Sequence, residues 1–265
     1  MNTLESQNIL LIGLPGSGKS RVAERLNNQF ACSKLTDADL ILENHQIEFT
    51  RPGCFEWQDF IKMPSNHSSY AVWCVVDIRS ILPGDDSAWL NTQLQRLLKI
   101  SDGIVFTFSE ESSLDDQAWW GKWVVQNRPE NSSLPVVRML NHALPESFNG
   151  FTKTNDTQAS SLEARGSVKN VSEKIECFHF KLERIVLDHL LMVLDNARQN
   201  LGMNITRVVG TLKTLEYQNL VTIEGTPYRW DTFAAESDDQ LGQLTISGVN
   251  LEKAWLSEMI QACKA

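Results

Sequence analysis

Gly13-Leu14-Pro15-Gly16-Ser17-Gly18-Lys19-Ser20 fits the phosphate-binding pattern G-x-x-x-x-G-K-[ST]. The glycines let successive backbone N–H groups turn inward and form a concave anion site at a helix start. Lys19 is spaced to reach the β- and γ-phosphates of a nucleoside triphosphate. Ser20 offers a hydroxyl to Mg²⁺, which keeps several waters and binds through few protein ligands. A Gly-rich turn ahead of a core helix is the plain alternative, but every motif position is filled. Three acids could complete such a site. Asp37 and Asp39 share a face if the local chain is extended, and could hold Mg²⁺ through water or orient a substrate hydroxyl. Equally, either could cap a helix starting near Leu40. Asp77 ends an apolar run, where parallel strands present ligand-binding groups; its other reading is a strand-end turn acid.

The elements that would position these residues are legible. Asn8-Ile9-Leu10-Leu11-Ile12 reads as a buried strand, and Val22, Ala23, Leu26 and Phe30 have helical spacing. The loop therefore joins a strand to a helix. Tyr70 to Asp77 and Gly103 to Phe108 are continuous apolar runs, expected of buried parallel strands. Between and after them, Ser87 to Lys99 and Gln117 to Gln126 read as helices, the second carrying Trp119, Trp120 and Trp123. Leu134 to Leu140 reads as a further strand. This alternation predicts a doubly wound α/β layer with a mostly parallel sheet.

Residues 150–172 are polar and poor in apolar side chains, as expected of a linker. Beyond it, Cys177 to Phe180, Ile205 to Leu215, Leu220 to Phe233 and Gln243 to Gly248 read as strands, and Ile185 to Leu201 as a helix. Asn250 is expected to cap a last helix over Leu251 to Lys264. The organisation is a nucleotide-binding domain over 1–150, a linker over 151–173 and a smaller α+β domain over 174–265.

The 265 residues carry 33 acidic and 24 basic side chains, a formal charge of −9. That argues against nucleic acid or an anionic membrane as the main partner, since both need clustered positive charge. No apolar run approaches the ~20 residues of a membrane span, and the N-terminus does not read as a signal peptide. Five scattered cysteines with no C-x-x-C pair suit a reducing cytoplasm.

With both halves in view, the chain resembles the CobW-like family of P-loop GTPases, associated with metal insertion and with cobalamin or zinc metabolism. The resemblance rests on the P-loop, on Cys74-Val75-Val76-Asp77 followed by Gln93 and Ile100-Ser101-Asp102-Gly103-Ile104-Val105, and on Ile205-Thr206-Arg207-Val208-Val209-Gly210 and Gln243-Leu244-Thr245-Ile246-Ser247-Gly248 in the second half. It implies GTP with Mg²⁺ (ATP being the other candidate), slow hydrolysis with Lys19 and Asp77 in catalytic roles, Ser20, Asp37 and Asp77 at the metal, and a protein client bound through the C-terminal domain, in metal or cofactor homeostasis. Departures are clear. The family's Gly-Cys-x-Cys-Cys motif is reduced to Gly53-Cys54, and one thiolate cannot make a soft zinc site. Thr107-Phe108-Ser109-Glu110 stands where the family's guanine-reading Asn-Lys-x-Asp would be, leaving Glu110 as the acid that accepts from the base. The first half is also similar to shikimate-kinase-type kinases through Asp37-Ala38-Asp39, which would mean phosphoryl transfer from ATP to a small hydroxyl compound. A third expectation is a non-catalytic, nucleotide-gated adaptor.

Overall fold

The computed structural model describes residues 8–14, 16–30, 70–79, 81, 88–99, 101–128, 134–148, 150–151, 176–227, 229–235 and 241–265. They fall into two compact units. Asp37, Asp39 and Cys54 lie outside the described residues, as do Pro15 and most of the expected linker.

In the first unit, β1 (Asn8–Ile12), β2 (Tyr70–Asp77), β3 (Gly103–Thr107) and β4 (Val136–Arg138) form a sheet in that order, each parallel to its neighbour. α1 (Lys19–Phe30) follows β1 and contributes Val22 and Leu26 to a core with Ile9, Leu11, Trp73, Val75 and Val105. α2 (Ala88–Lys99) and α3 (Leu114–Asn127) are joined by bonds from Trp123 Nε1 to Asn91 Oδ1 and from Gln95 Nε2 to Asn127 Oδ1, both 2.8 Å. On α3, Trp120 packs its ring against Phe106, 6.4 Å between centroids. Val105 and Phe106 point to opposite faces of their strand. Helices therefore cover both faces of a parallel sheet, which is why all of β3 is buried. The α/β layer is as the sequence predicts. Three boundaries differ, the first being β4, which covers only Val136–Arg138 of the expected Leu134 to Leu140. β3 stops at Thr107 because Phe108 turns to φ +57°. α3 begins at Leu114 instead of near Gln117, because Ser113 Oγ accepts from Asp116 N at 3.0 Å and Asp115 and Asp116 suit the positive end of the helix.

The second unit is an antiparallel five-stranded sheet, ordered β5-β9-β6-β7-β8, with β5 at Glu176–Lys181, β6 at Asn204–Leu212, β7 at Val221–Gly225, β8 at Trp230–Ala234 and β9 at Gln243–Val249. One face packs Val208, Ile223, Leu244 and Ile246 against α4 (Leu187–Gln199) and α5 (Lys253–Ala262), through Leu190, Leu194, Leu256 and Ile260. The stretch expected as one strand from Leu220 is a hairpin. Thr226 N bonds to Arg229 O at 2.9 Å and closes the turn that carries Pro227. Asn250 does not cap the last helix: it takes φ +57° in a turn, and Glu252 stands at the helix start without a side-chain cap bond.

Candidate functional site

The phosphate-binding loop links β1 to α1. Ser17 N bonds to Leu14 O at 3.1 Å and tightens the turn. Gly16 at φ +78° and Gly18 at φ +86° take left-handed conformations that side chains resist. Gly13 lies so close to β2 that a β-carbon there would meet the Val75 carbonyl oxygen. Lys19 folds its ammonium back over the loop, donating to Gly13 O at 2.9 Å and Leu14 O at 3.2 Å. Ser17 Oγ is buried without a hydrogen-bond partner, an orphan donor of the kind an anion satisfies. Ser20 stands exposed in the first turn of α1. Backbone concavity, an ammonium over the loop, an orphan hydroxyl and an exposed hydroxyl together fit a phosphate group and its Mg²⁺. Among the described residues, no group of three or more His, Cys, Asp or Glu could hold a metal by itself. A cation here would rest on Ser20 and on the phosphates it accompanies.

Beside the loop runs the end of β3. Thr107 Oγ1 donates to Ser17 O at 2.7 Å and ties the two together. Phe108 lies against Gly18, its Cε2 at 3.0 Å from where a β-carbon on Gly18 would be. Two guanidinium groups lie over the Phe108 ring, Arg79 at 3.4 Å and Arg21 at 4.5 Å from its centroid, within cation–π range. Both arginines are ion-paired. Arg21 Nη2 reaches Glu110 Oε1 at 2.7 Å, and Arg79 Nη1 reaches Glu111 Oε2 at 2.7 Å. Asp77 accepts from the Arg79 backbone N–H at 3.0 Å and from its Nε and Nη2 at 2.9 and 2.6 Å. Burial works against the charge on Arg79, but Asp77 and Glu111 outweigh it and hold the guanidinium above its ordinary range.

The described residues of Gly13 to Ser20 thus sit together as the motif requires. Asp77 stands at the end of β2 with its carboxylate engaged by Arg79. Glu110 stands in the turn after β3 with one oxygen engaged by Arg21. The residues the motifs did not single out are Arg21, Arg79 and Phe108. A signal was present in their surroundings: Asp77-x-Arg79 at a strand end, and Glu110-Glu111 at the next one, place acids and a base where parallel strands converge on the loop.

No protein-family model and no curated protein matches the chain. Among solved structures it is similar to the zinc-bound YjiA GTPase from E. coli, at 14% identity over 88% of this chain and 76% of that one, with a TM-score of 0.29. A zinc-bound triple mutant of YjiA gives the same identity and coverage with a TM-score of 0.30. Likeness at that level carries no argument about what this chain binds.

Proposed function

We propose that the first unit binds a nucleoside triphosphate with Mg²⁺ on the 13–20 loop, with GTP favoured, and hydrolyses it slowly. The observation that supports this reading is the loop itself: left-handed glycines at Gly16 and Gly18, an orphan buried hydroxyl on Ser17, and Lys19 donating to the loop carbonyls of Gly13 and Leu14. In this reading the loop amides and Lys19 stabilise charge on the terminal phosphates. Ser20 supplies the protein ligand to Mg²⁺, which neutralises phosphate charge when bound. Glu110 accepts from the base. Asp77 reaches the metal only by giving up Arg79, so its first role is to position that arginine.

Calorimetric titration of the metal-free protein with non-hydrolysable GTP and ATP analogues, each with Mg²⁺, tests the reading. Tight binding is expected in the wild type and none in Lys19→Ala. Equal affinity in the variant would overturn the site. A second reading, a nucleotide-gated adaptor, is favoured by the ion pair at Asp77, because the acid that would assist turnover is already engaged by Arg79. A phosphate-release rate that Lys19→Ala abolishes would sink the adaptor.

A further inference from the structure

Cys177, His179, Thr245 and Ser247 make a polar row on the second unit's sheet that its core does not use. In the antiparallel register Cys177 stands opposite Ser247, and His179 opposite Thr245. Among the described strands β5 stands at the sheet edge, with β9 as its neighbour. Alternation along the strands puts these four side chains on one face, while Phe180, Leu244 and Ile246 point to the other, into the core with α4 and α5.

The geometry orders them chemically. Cys177 Sγ lies 3.8 Å from His179 Nε2. His179 Nδ1 lies 2.9 Å from Thr245 Oγ1. When Nδ1–H donates to that hydroxyl, Nε2 is left as the acceptor facing the sulfur. Ser247 Oγ donates to Cys177 Sγ at 3.3 Å. A nucleophile, a base within reach and a group that orients the base recur wherever a thiol is activated. The charged neighbours are few on the described elements around it. Lys181 follows on the same face of β5. Arg207 lies opposite Ser247 on β6 and is held by Glu224 at 2.9 Å. Glu176 accepts from Leu251 N. The other described cysteines are poor nucleophiles: burial pushes the Cys74 thiol up to about 12 and raises that of Cys263, whereas Cys177 is only half-buried.

We propose that Cys177 is a base-assisted thiol nucleophile and a site of reversible modification by small-molecule disulfides. His179 Nε2 takes the thiol proton. The thiolate attacks one sulfur of the disulfide, its S–S bond breaks as the Cys177 S–S bond forms, and the leaving thiolate takes the proton from His179. The net change exchanges one disulfide and one thiol for a mixed disulfide and another thiol.

The full-length protein is incubated with oxidised glutathione, quenched with acid, and mapped by peptide mass spectrometry. The adduct is expected on Cys177 ahead of Cys74 and Cys263. His179→Gln is expected to slow it about tenfold at pH 7 and hardly at pH 10, where a thiol ionises unaided. Thr245→Val is expected to give a smaller loss at pH 7. Equal rates for wild type and His179→Gln at pH 7 would overturn the proposal. So would an equal slowing at both pH values, which is the mark of a steric role.

Discussion

In the proposed reading, Glu110 meets a purine base in competition with Arg21. Guanine presents two N–H groups on one edge, and matching both takes both carboxylate oxygens, yet Oε1 is held at 2.7 Å by a guanidinium in a partly buried setting. Removing the arginine should therefore sharpen base choice and leave phosphate binding in place. Arg21→Ala is expected to raise the GTP-to-ATP affinity ratio about tenfold, since a net hydrogen bond to a charged group is worth about 1.5–3 kcal/mol. Paired calorimetric titrations give the ratio, and an unchanged value would remove Glu110 as the base reader. Cys74, in β2 beside the loop's strand, makes a different kind of statement. Burial raises its thiol from 9.0 to about 12. The folded chain keeps the proton while the unfolded chain releases it, so this group's contribution is intact below about pH 9 and is lost as pH rises toward 12. The slope is at most about 1.4 kcal/mol per pH unit. Urea midpoints at pH 8 and pH 10 should fall less in Cys74→Ala than in the wild type, and parallel falls would refute the assignment.

Among the elements, α3 shows how one hydroxyl sets a boundary that apolar spacing does not reveal. Ser113 Oγ accepts from Asp116 N at 3.0 Å, an N-cap bond, and donates to Asp116 Oδ2 at 2.7 Å. Ser113→Ala should cost about 1 kcal/mol in urea unfolding, and Ser113→Gly only a few tenths; equal losses would show that the cap bond is not what holds the helix end. The tryptophan spacing by itself points to a helix from Gln117, and Trp120 and Trp123 do mark the buried side. The same logic explains the other boundaries. Long apolar runs such as Tyr70 to Asp77 were legible end to end, because a strand buried on both faces has no other composition open to it. The Leu220–Phe233 stretch was not, because the turn at Thr226 and Pro227 interrupts a run whose flanks are both strand-like. At the site, the loop was legible from glycine spacing alone. Arg21, Arg79 and Phe108 were not, since their meeting depends on the φ +57° turn of Phe108, which brings three strand and helix ends together and which no local pattern announces.

Across the whole molecule, the two units have separate cores. One is built on Ile9, Leu11, Trp73, Val75 and Val105, the other on Ile185, Leu190, Val208, Ile246 and Leu256. Units that each bury apolar side chains of their own are expected to unfold in separate steps. We expect residues 174–265 expressed alone to fold, with strand-rich circular dichroism and a cooperative melt. In the full chain, a non-hydrolysable triphosphate with Mg²⁺ should raise only the transition of the first unit, by about 2.7 kcal/mol at a hundredfold excess over its dissociation constant. The second transition should stay where the isolated fragment melts. If the fragment is unfolded by itself, the five-stranded sheet depends on the first unit and the domain division at 174 is wrong. If instead both transitions rise together with nucleotide, the division stands as a matter of chain layout, but the units are energetically one.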